Sequence, residues 1–287
     1  GYVGLILGSF ASGKSLTLTD CEINGNNSNG NDYCGMYVVN AQNTPLDTVT
    51  FTRTYINNNT GGSYIGLYLG TCNTIKFDDC RVCDNSGTGQ KAGIFIVGAN
   101  TEVVLTDTHV NGNCCKNGAG IVYSSAKDSL LNVNNCEICE NDSDGGMNSG
   151  FIVEGATLSN AEFAGTKVNR NRGKYRVGLY ISPASLKLTD CEICENNDLS
   201  SEFGVIVCFC TTKVELVGTK INGNRGTNSV GMIMQSLMQN SPAATFENCI
   251  ISNNYSTGSK GGLYAESQIS QINLKGKVQI SGNKSVV

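Results

Sequence analysis

A short apolar segment opened by glycine recurs ten times along the chain. Each copy is a Gly followed by three mostly apolar residues, and successive copies start 26 to 31 residues apart. The opening glycines are Gly4, Gly35, Gly66, Gly93, Gly120, Gly150, Gly178, Gly204, Gly231 and Gly262. Each copy continues with a polar loop, an apolar-x-apolar pair and a two-residue polar bend. It then has Cys or Thr, Ile or Val two residues later, and a closing Asn.

This pattern predicts three short strands per copy, because apolar and polar positions alternate within each segment and turn residues separate the segments. One copy cannot bury its apolar face alone, so the copies must stack. With a rise of about 4.8 Å per coil, they form an all-β, parallel β-helix of about ten coils with three short parallel sheets. We expect residues 1–287 to be a single β-helix domain, uncapped at both ends. The chain is then a mature product or a segment of a longer polypeptide.

The coil length of about 29 residues and its single two-residue bend resemble the right-handed pectin-lyase-like β-helix superfamily, over the whole chain. The last copy, GGLYAESQISQINLKGKVQISGNKS, is also similar to the Gly-Gly and Gly-Asn repeats of polymorphic membrane protein adhesins. The first resemblance implies a right-handed solenoid, a fold that carries enzymes acting on polysaccharides as well as proteins without catalysis.

Cys and Thr alternate at the position that opens the third strand. Since an aliphatic residue follows two positions later, both positions should face the interior. The column is Cys21, Thr54, Cys80, Thr108, Cys136, Thr166, Cys191, Thr219 and Cys249, and Val278 follows in the last copy. Alternate coils lie about 9.6 Å apart, beyond the roughly 7 Å Cα separation that a disulfide tolerates. These cysteines are therefore predicted to be buried free thiols.

The motif Cys-x-x-Cys adds a second cysteine, which should point outward near a turn, at Cys83, Cys139 and Cys194. Cys114 and Cys115 lie in the turn of the intervening coil, so we predict that Cys83 and Cys139 each form a disulfide with one of them. A zinc site is disfavoured because one cysteine of each motif faces inward, and a redox motif because no helix is predicted. No partner is predicted for Cys34, Cys72, Cys194, Cys208 or Cys210.

Two outward columns run along the predicted rod. The first is a polar ladder of Glu22, Tyr55, Arg81, His109, Glu137, Lys167, Glu192, Lys220 and Ile250, in which opposite charges stack from Glu137 to Lys220. The second is an apolar stripe formed by the middle residues of the Gly-led strands: Ile6, Tyr37, Tyr68, Phe95, Val122, Ile152, Tyr180, Ile206, Ile233 and Tyr264. A stripe of this length must be covered by a partner, another copy or folded-back loops.

Fourteen cysteines and five Asn-x-Ser/Thr sequons indicate secretion through an oxidising, glycosylating pathway. The predicted N-glycosylation sites are Asn26, Asn58, Asn141, Asn254 and Asn283. The expected location is therefore extracellular or at the cell surface.

Composition narrows the function. Charged residues make up only 15% and the net charge is -4, which gives no electrostatic footprint for a nucleic acid or an anionic membrane. No apolar run is long enough to span a bilayer. His109, Asp78 and Asp79 are the residues to consider for catalysis, but they fit a surface ladder and a bend better. The acidic loop at residues 140–145 fits a solvated turn better than a calcium site. We expect no catalytic residue, metal or cofactor.

The leading hypothesis is a non-catalytic, secreted structural glycoprotein whose copies stack head-to-tail into a fibre, with lateral contacts through the apolar stripe. The first alternative is the rod-like passenger segment of a cell-surface adhesin. The second is a polysaccharide lyase or hydrolase, which would rest on fold analogy alone.

Overall fold

The computed structural model describes residues 3–8, 13–39, 45–98, 102–124, 127–154, 157–198, 205–228, 230–235, 242–265 and 269–286. In these residues the regular elements are thirty β-strands, and no helix is present. It follows that the described chain contains no helix able to cross a membrane. The strands pair in parallel, each with the equivalent strand one coil away, and they are in register over most of their length.

The first sheet has 14 strands: ten are the first strands of successive coils, and four are short strands described below. The solenoid has about nine turns. Numbered along the chain, the first strands of the coils are β1 (Leu5–Gly8), β3 (Met36–Val39), β6 (Leu67–Leu69), β9 (Ile94–Val97), β11 (Ile121–Ser124), β13 (Asp142–Glu154), β15 (Arg172–Ile181), β19 (Ile206–Phe209), β23 (Met232–Gln235) and β27 (Leu263–Ala265). The predicted all-β parallel β-helix is therefore confirmed.

The apolar-x-apolar pairs form the second sheet, which has ten strands. They are β2 (Leu16–Thr19), β4 (Leu46–Thr52), β7 (Cys72–Asp78), β10 (Glu102–Thr106), β12 (Lys127–Asn134), β14 (Thr157–Ala164), β16 (Pro183–Thr189), β20 (Lys213–Val217), β24 (Ala243–Glu247) and β28 (Gln271–Lys275).

The third sheet begins as single bridges from Glu22 to Glu192 and becomes regular in its last four strands. These are β17 (Glu192–Cys194), β21 (Lys220–Asn222), β25 (Ile250–Ser252) and β29 (Gln279–Ser281). A fourth, unpredicted row of two-residue strands follows the closing Asn: β5 (Thr60–Gly61), β8 (Ser86–Gly87), β18 (Asn197–Asp198), β22 (Arg225–Gly226), β26 (Tyr255–Ser256) and β30 (Lys284–Ser285). The long strands β13 and β15 run through this row into the first sheet.

One continuous apolar core fills the solenoid, because inward residues stack directly on their equivalents in the next coil. Phe51 and Phe77, which are register partners on β4 and β7, stack with ring centroids 4.9 Å apart and planes 11° from parallel. The coil spacing thus turns each inward position of the repeat into a column of contacts.

The two-residue bend after the second sheet is made by a residue with positive φ in every coil. This residue is Asp20, Arg53, Asp79, Asp107, Asn135, Gly165, Asp190, Gly218, Asn248 or Gly276, with φ between 44° and 63°. Asn, Asp and Gly tolerate this left-handed conformation best, which explains the polar bend predicted from the sequence.

Candidate functional site

The alternating Cys and Thr of the third strand perform the same structural task. Cys136 Sγ and Thr108 Oγ1 each donate to the backbone carbonyl two residues earlier, over 3.2 Å and 2.9 Å. The other members of the column make the same contact where they are described, for example Thr166 and Cys249. All five cysteines are free, and four of them are buried, as predicted.

Burial makes these thiols poor nucleophiles. It raises the pKa of Cys136 to about 12 and that of Cys191 to about 11. Because the thiolate is the reactive form, the thiols of this column are unreactive. Their role is packing and hydrogen bonding.

The predicted disulfides of Cys83 and Cys139 with Cys114 and Cys115 are absent, since all four of these cysteines are free thiols. The prediction failed because the residue of the intervening coil that lies between Cys83 and Cys139 is Asn111. The amide of Asp84 donates to the Asn111 carbonyl, and the amide of Cys139 donates to Asn111 Oδ1 over 2.8 Å. Cys114 and Cys115 lie further along, in the fourth row, where Cys114 pairs with Ser86.

The second cysteine of the motif thus alternates with asparagine, as the first alternates with threonine. Asn57, Asn111 and Asn169 each accept a hydrogen bond from the amide of the cysteine one coil later, over 2.8 to 2.9 Å. The Cys-x-x-Cys is therefore one half of a two-coil structural repeat. Cys34, Cys72 and Cys194 are also free.

The disulfide in the structure joins Cys208 and Cys210. Their Cα atoms are 5.7 Å apart, and both side chains are buried. Residues two apart on an extended strand point to the same face, which brings the two sulfur atoms together inside the solenoid.

The closing asparagines form a continuous ladder along the rod. In each step, the backbone amide and the side-chain Nδ2 of one Asn donate to Oδ1 of the next, over 2.9 to 3.1 Å. Nδ2 also donates to a backbone carbonyl of the preceding coil, for example from Asn141 to Val110 over 2.8 Å. The members are Asn26, Asn59, Asn85, Asn113, Asn141, Asn171, Asn196, Asn224, Asn254 and Asn283.

This ladder corrects the glycosylation prediction for Asn141 and Asn254. Both residues are fully buried, and both hydrogens of each Nδ2 are used within the ladder. An N-glycan replaces one of those hydrogens and needs a path to solvent, so the folded protein has no room for it. Asn26 and Asn283 are half-buried ladder members, whereas Asn58 is exposed.

The polar ladder on the third sheet is present in the predicted order, because its members are register neighbours from Glu22 to Lys220. Lys167 Nζ lies 2.8 Å from Glu137 Oε1, and His109 Nδ1 lies 3.8 Å from Glu137 Oε2. The hydrogen bond from Lys167 holds the pKa of Glu137 below its usual range. An exposed pair of this kind contributes about 0.2–1 kcal/mol.

The other residues considered for chemistry lie in strands or at a bend. Asp78 is the last residue of β7 and Asp79 has φ of 49°, and both are exposed. The acidic segment at residues 140–145 was predicted to be a turn, but residues 142–145 belong to β13, where Asp142 Oδ1 accepts from the backbone amide of Asp144 over 2.8 Å. Across the described residues, no group of three or more Cys, His, Asp or Glu side chains is arranged to hold a metal ion.

The outer stripe differs from the prediction at Ile206. Ile206 pairs with Leu179 and Met232, faces the interior and is fully buried. Val207 takes the register position of the stripe in this coil. The register shifts by one residue in this coil because Val205, and not Gly204, lies next to Gly178 in the stack of residues that precede the first-sheet strands. Gly204 itself lies outside the described residues.

Six residues of the corner before the first sheet lie beside the stripe, and four of their side chains contact it. We call the six the corner column: Tyr33, Tyr64, Lys91, Gly118, Asn148 and Arg176, all with φ between 55° and 85°. Each precedes a stripe residue by four positions. Lys91 Nζ lies 4.4 Å from the centre of the Phe95 ring, and the Arg176 guanidinium lies 4.4 Å from that of Tyr180.

In the middle of the stripe, Val122 and Ile152 are fully buried. Gly118 leaves room for the Lys91 side chain, because a Cβ atom at position 118 would lie only 2.7 Å from Lys91 Cδ. In the next coil, Asn148 Nδ2 donates to Glu154 Oε1 over 2.6 Å, and Glu154 also pairs with Arg176. Residues of the chain itself therefore contribute to the cover in this part of the stripe.

The N-terminal part of the stripe instead carries a cluster of partly exposed tyrosines, which we call the tyrosine cluster: Tyr33, Tyr37, Tyr64 and Tyr68. The rings of Tyr33 and Tyr64 are stacked 5.2 Å apart, and those of Tyr37 and Tyr68 are 4.5 Å apart. Burial, together with hydrogen bonding to Tyr33, raises the pKa of Tyr37.

The first and last described coils expose inward positions of the repeat. Ile272 and Leu274 on β28 continue the buried columns of Ala244 and Phe246, yet are 44% and 56% exposed. Ile280 on β29 continues the column of Ile251 and is 45% exposed. At the other edge, Leu5, Leu7 and Leu16 are only partly buried.

Comparison with protein-family models, with curated proteins and with solved structures gave no match. The parallel β-helix thus stands on its geometry, and the resemblances to the pectin-lyase-like superfamily and to adhesin repeats stay predictions.

Proposed function

We propose that the protein is a non-catalytic structural rod whose copies join head-to-tail through their coil edges. The observation that carries this proposal is the exposure of Ile272, Leu274 and Ile280 in the last described coil, because their equivalents one coil earlier, Ala244, Phe246 and Ile251, are buried in the core. Covering half of an Ile or Leu side chain contributes about 1 kcal/mol, so three such residues favour a further coil by about 3 kcal/mol.

The hydrogen bonds at the two edges are complementary, and this supports the same arrangement. In every step of the asparagine ladder, the earlier Asn donates to Oδ1 of the later one. Asn283 therefore carries the donor for a further step, and Asn26 Oδ1 is an acceptor without a partner among the described residues. The edge strands β1 and β2 each have one neighbour, as do β28 and β29. Joining unlike edges is a heterologous contact, which repeats into an open filament.

Charge placed on an inward edge position tests the proposal. Lysine at Ile272 and Leu274 puts two ammonium groups where the core of the next coil would begin, which blocks edge pairing. The matched control is Asn273→Lys, because Asn273 lies between them on β28 and faces outward. Sedimentation velocity should give concentration-dependent oligomers for the natural chain and for the control, and monomers for Ile272→Lys/Leu274→Lys. A natural chain that stays monomeric at all concentrations would overturn the proposal.

We further propose that the rod is extracellular and carries an N-glycan at Asn58. Of the five sequon asparagines, Asn58 alone is exposed and outside the ladder. In secreted material from a eukaryotic host, glycosidase treatment should shift the mobility of the natural chain and leave Asn58→Gln unchanged. Retention of the chain inside the cell, or a secreted chain without a glycosidase-sensitive shift, would contradict this part of the proposal.

A further inference from the structure

The tyrosine cluster joins two neighbouring coils through ring contacts. Tyr33 and Tyr37 belong to the second coil, and Tyr64 and Tyr68 to the third. In addition to the contacts between equivalent residues of the two coils, the rings within each coil are close. The ring centroids of Tyr33 and Tyr37 are 4.2 Å apart, and those of Tyr64 and Tyr68 are 5.3 Å apart. All four rings are partly exposed on the outer face of the first sheet.

The backbone keeps these rings together. Tyr37 and Tyr68 are register partners on β3 and β6, and the amide of Cys34 donates to the Tyr64 carbonyl. Because a parallel, in-register sheet places equivalent side chains about 4.8 Å apart, the phenols of one coil are held against those of the next. Bringing two reacting groups together in advance removes most of the entropic cost of joining them.

We propose that the tyrosine cluster is a site of oxidative cross-linking, at which a dityrosine bond joins the second coil to the third. Each of two phenols loses one electron and one proton to become a tyrosyl radical, and the radicals form a carbon–carbon bond between ortho positions. The two ortho hydrogens then move to the phenolic oxygens, which restores aromaticity. The oxidant is hydrogen peroxide used by a haem peroxidase, and the two electrons and two protons removed reduce one peroxide to two water molecules.

This cross-link does not depend on the proposed filament. It joins residues of a single chain and fastens the second coil to the third. A covalent bond between adjacent coils restricts the unfolded chain, as other cross-links do, and therefore stabilises the folded state.

Peroxidase and hydrogen peroxide applied to the purified dilute protein test the inference, with dityrosine fluorescence and peptide mass spectrometry as readouts. Trypsin separates the two coils, because Tyr33 and Tyr37 lie in the peptide of residues 15–53 and Tyr64 and Tyr68 in that of residues 54–76. The expected product is these two peptides joined with the loss of two hydrogens, in a chain that migrates as a monomer.

Two double variants give the controls. Tyr33→Phe/Tyr37→Phe keeps the rings and should lose the joined peptide, while its thermal unfolding stays that of the natural chain. Tyr55→Phe/Tyr255→Phe should keep it, since neither Tyr55 nor Tyr255 contacts another tyrosine ring among the described residues. The inference is overturned if oxidation yields no joined peptide, if the joined peptide persists in the first variant, or if dityrosine forms only between chains.

Discussion

Replacement of Asn141 by alanine is the sharpest perturbation of the asparagine ladder. Asn141 lies in the middle of the rod and is fully buried. Its Nδ2 donates to the Val110 carbonyl over 2.8 Å and to Asn171 Oδ1 over 3.0 Å. Its Oδ1 accepts from the amide and from Nδ2 of Asn113, over 3.1 Å and 3.0 Å. Alanine removes all four of these hydrogen bonds and adds no new contact.

The expected loss follows from that inventory. A typical intramolecular hydrogen bond contributes about 1 kcal/mol, and a buried donor left without a partner costs about 1–3 kcal/mol. Four lost bonds give a decrease of about 4 kcal/mol in the free energy of unfolding. Since each coil contacts only its neighbours, the defect should weaken the two interfaces that Asn141 spans more than the rest of the rod.

Equilibrium unfolding in urea, followed by circular dichroism, measures the total loss, and amide hydrogen exchange locates it. The amide of Asn113, which loses its acceptor, should exchange much faster in Asn141→Ala. Asn58→Gly is the matched control, because Asn58 is exposed and its φ of 56° suits glycine. The control should change stability by less than about 0.5 kcal/mol. A loss below about 1 kcal/mol in Asn141→Ala would refute the view that the ladder holds the coils together.

Three further predictions concern the thiols, the surface ladder and catalysis. Burial raises the pKa of Cys136 to about 12, whereas an unfolded thiol loses its proton near pH 9. The free energy of unfolding should therefore fall as the pH rises from about 9 to about 12, less steeply in Cys136→Thr than in the natural chain; equal slopes would contradict the assignment. Glu137→Gln removes the ion pair with Lys167 and should cost less than about 1 kcal/mol, so a larger loss in urea unfolding would give that pair a greater role. Polyuronates incubated with the protein should yield no new reducing or unsaturated ends, and cleavage lost in His109→Ala would establish an enzyme instead.

Much of the fold could be predicted because one repeat encodes one coil. Period-2 alternation placed Cys136 and Ile138 on the inner face, and both are buried. The fourth row was missed because its two-residue strands, such as Ser86–Gly87, carry no apolar signal. The error at Ile206 arose because the glycine alone was used to set the start of each strand. In that coil Val205 takes the place of the glycine.

The turns limited the prediction of the site. Pairing of Cys83 or Cys139 with Cys114 depends on which turn residue lies between the coils, and the register places Asn111 there. The corner column was equally hidden, because positive φ at Lys91 or Arg176 breaks the usual preference for Gly and Asn. The direction in which such a side chain folds depends on the neighbouring coils and not on its own sequence.

Electron microscopy of the natively purified, unreduced protein tests the head-to-tail rod most directly. Ten coils at about 4.8 Å give an axial length of about 48 Å per copy. We expect unbranched filaments that lengthen with protein concentration and show an axial repeat near this value, and discrete particles for Ile272→Lys/Leu274→Lys. Discrete rods of the natural chain at every concentration would contradict head-to-tail stacking.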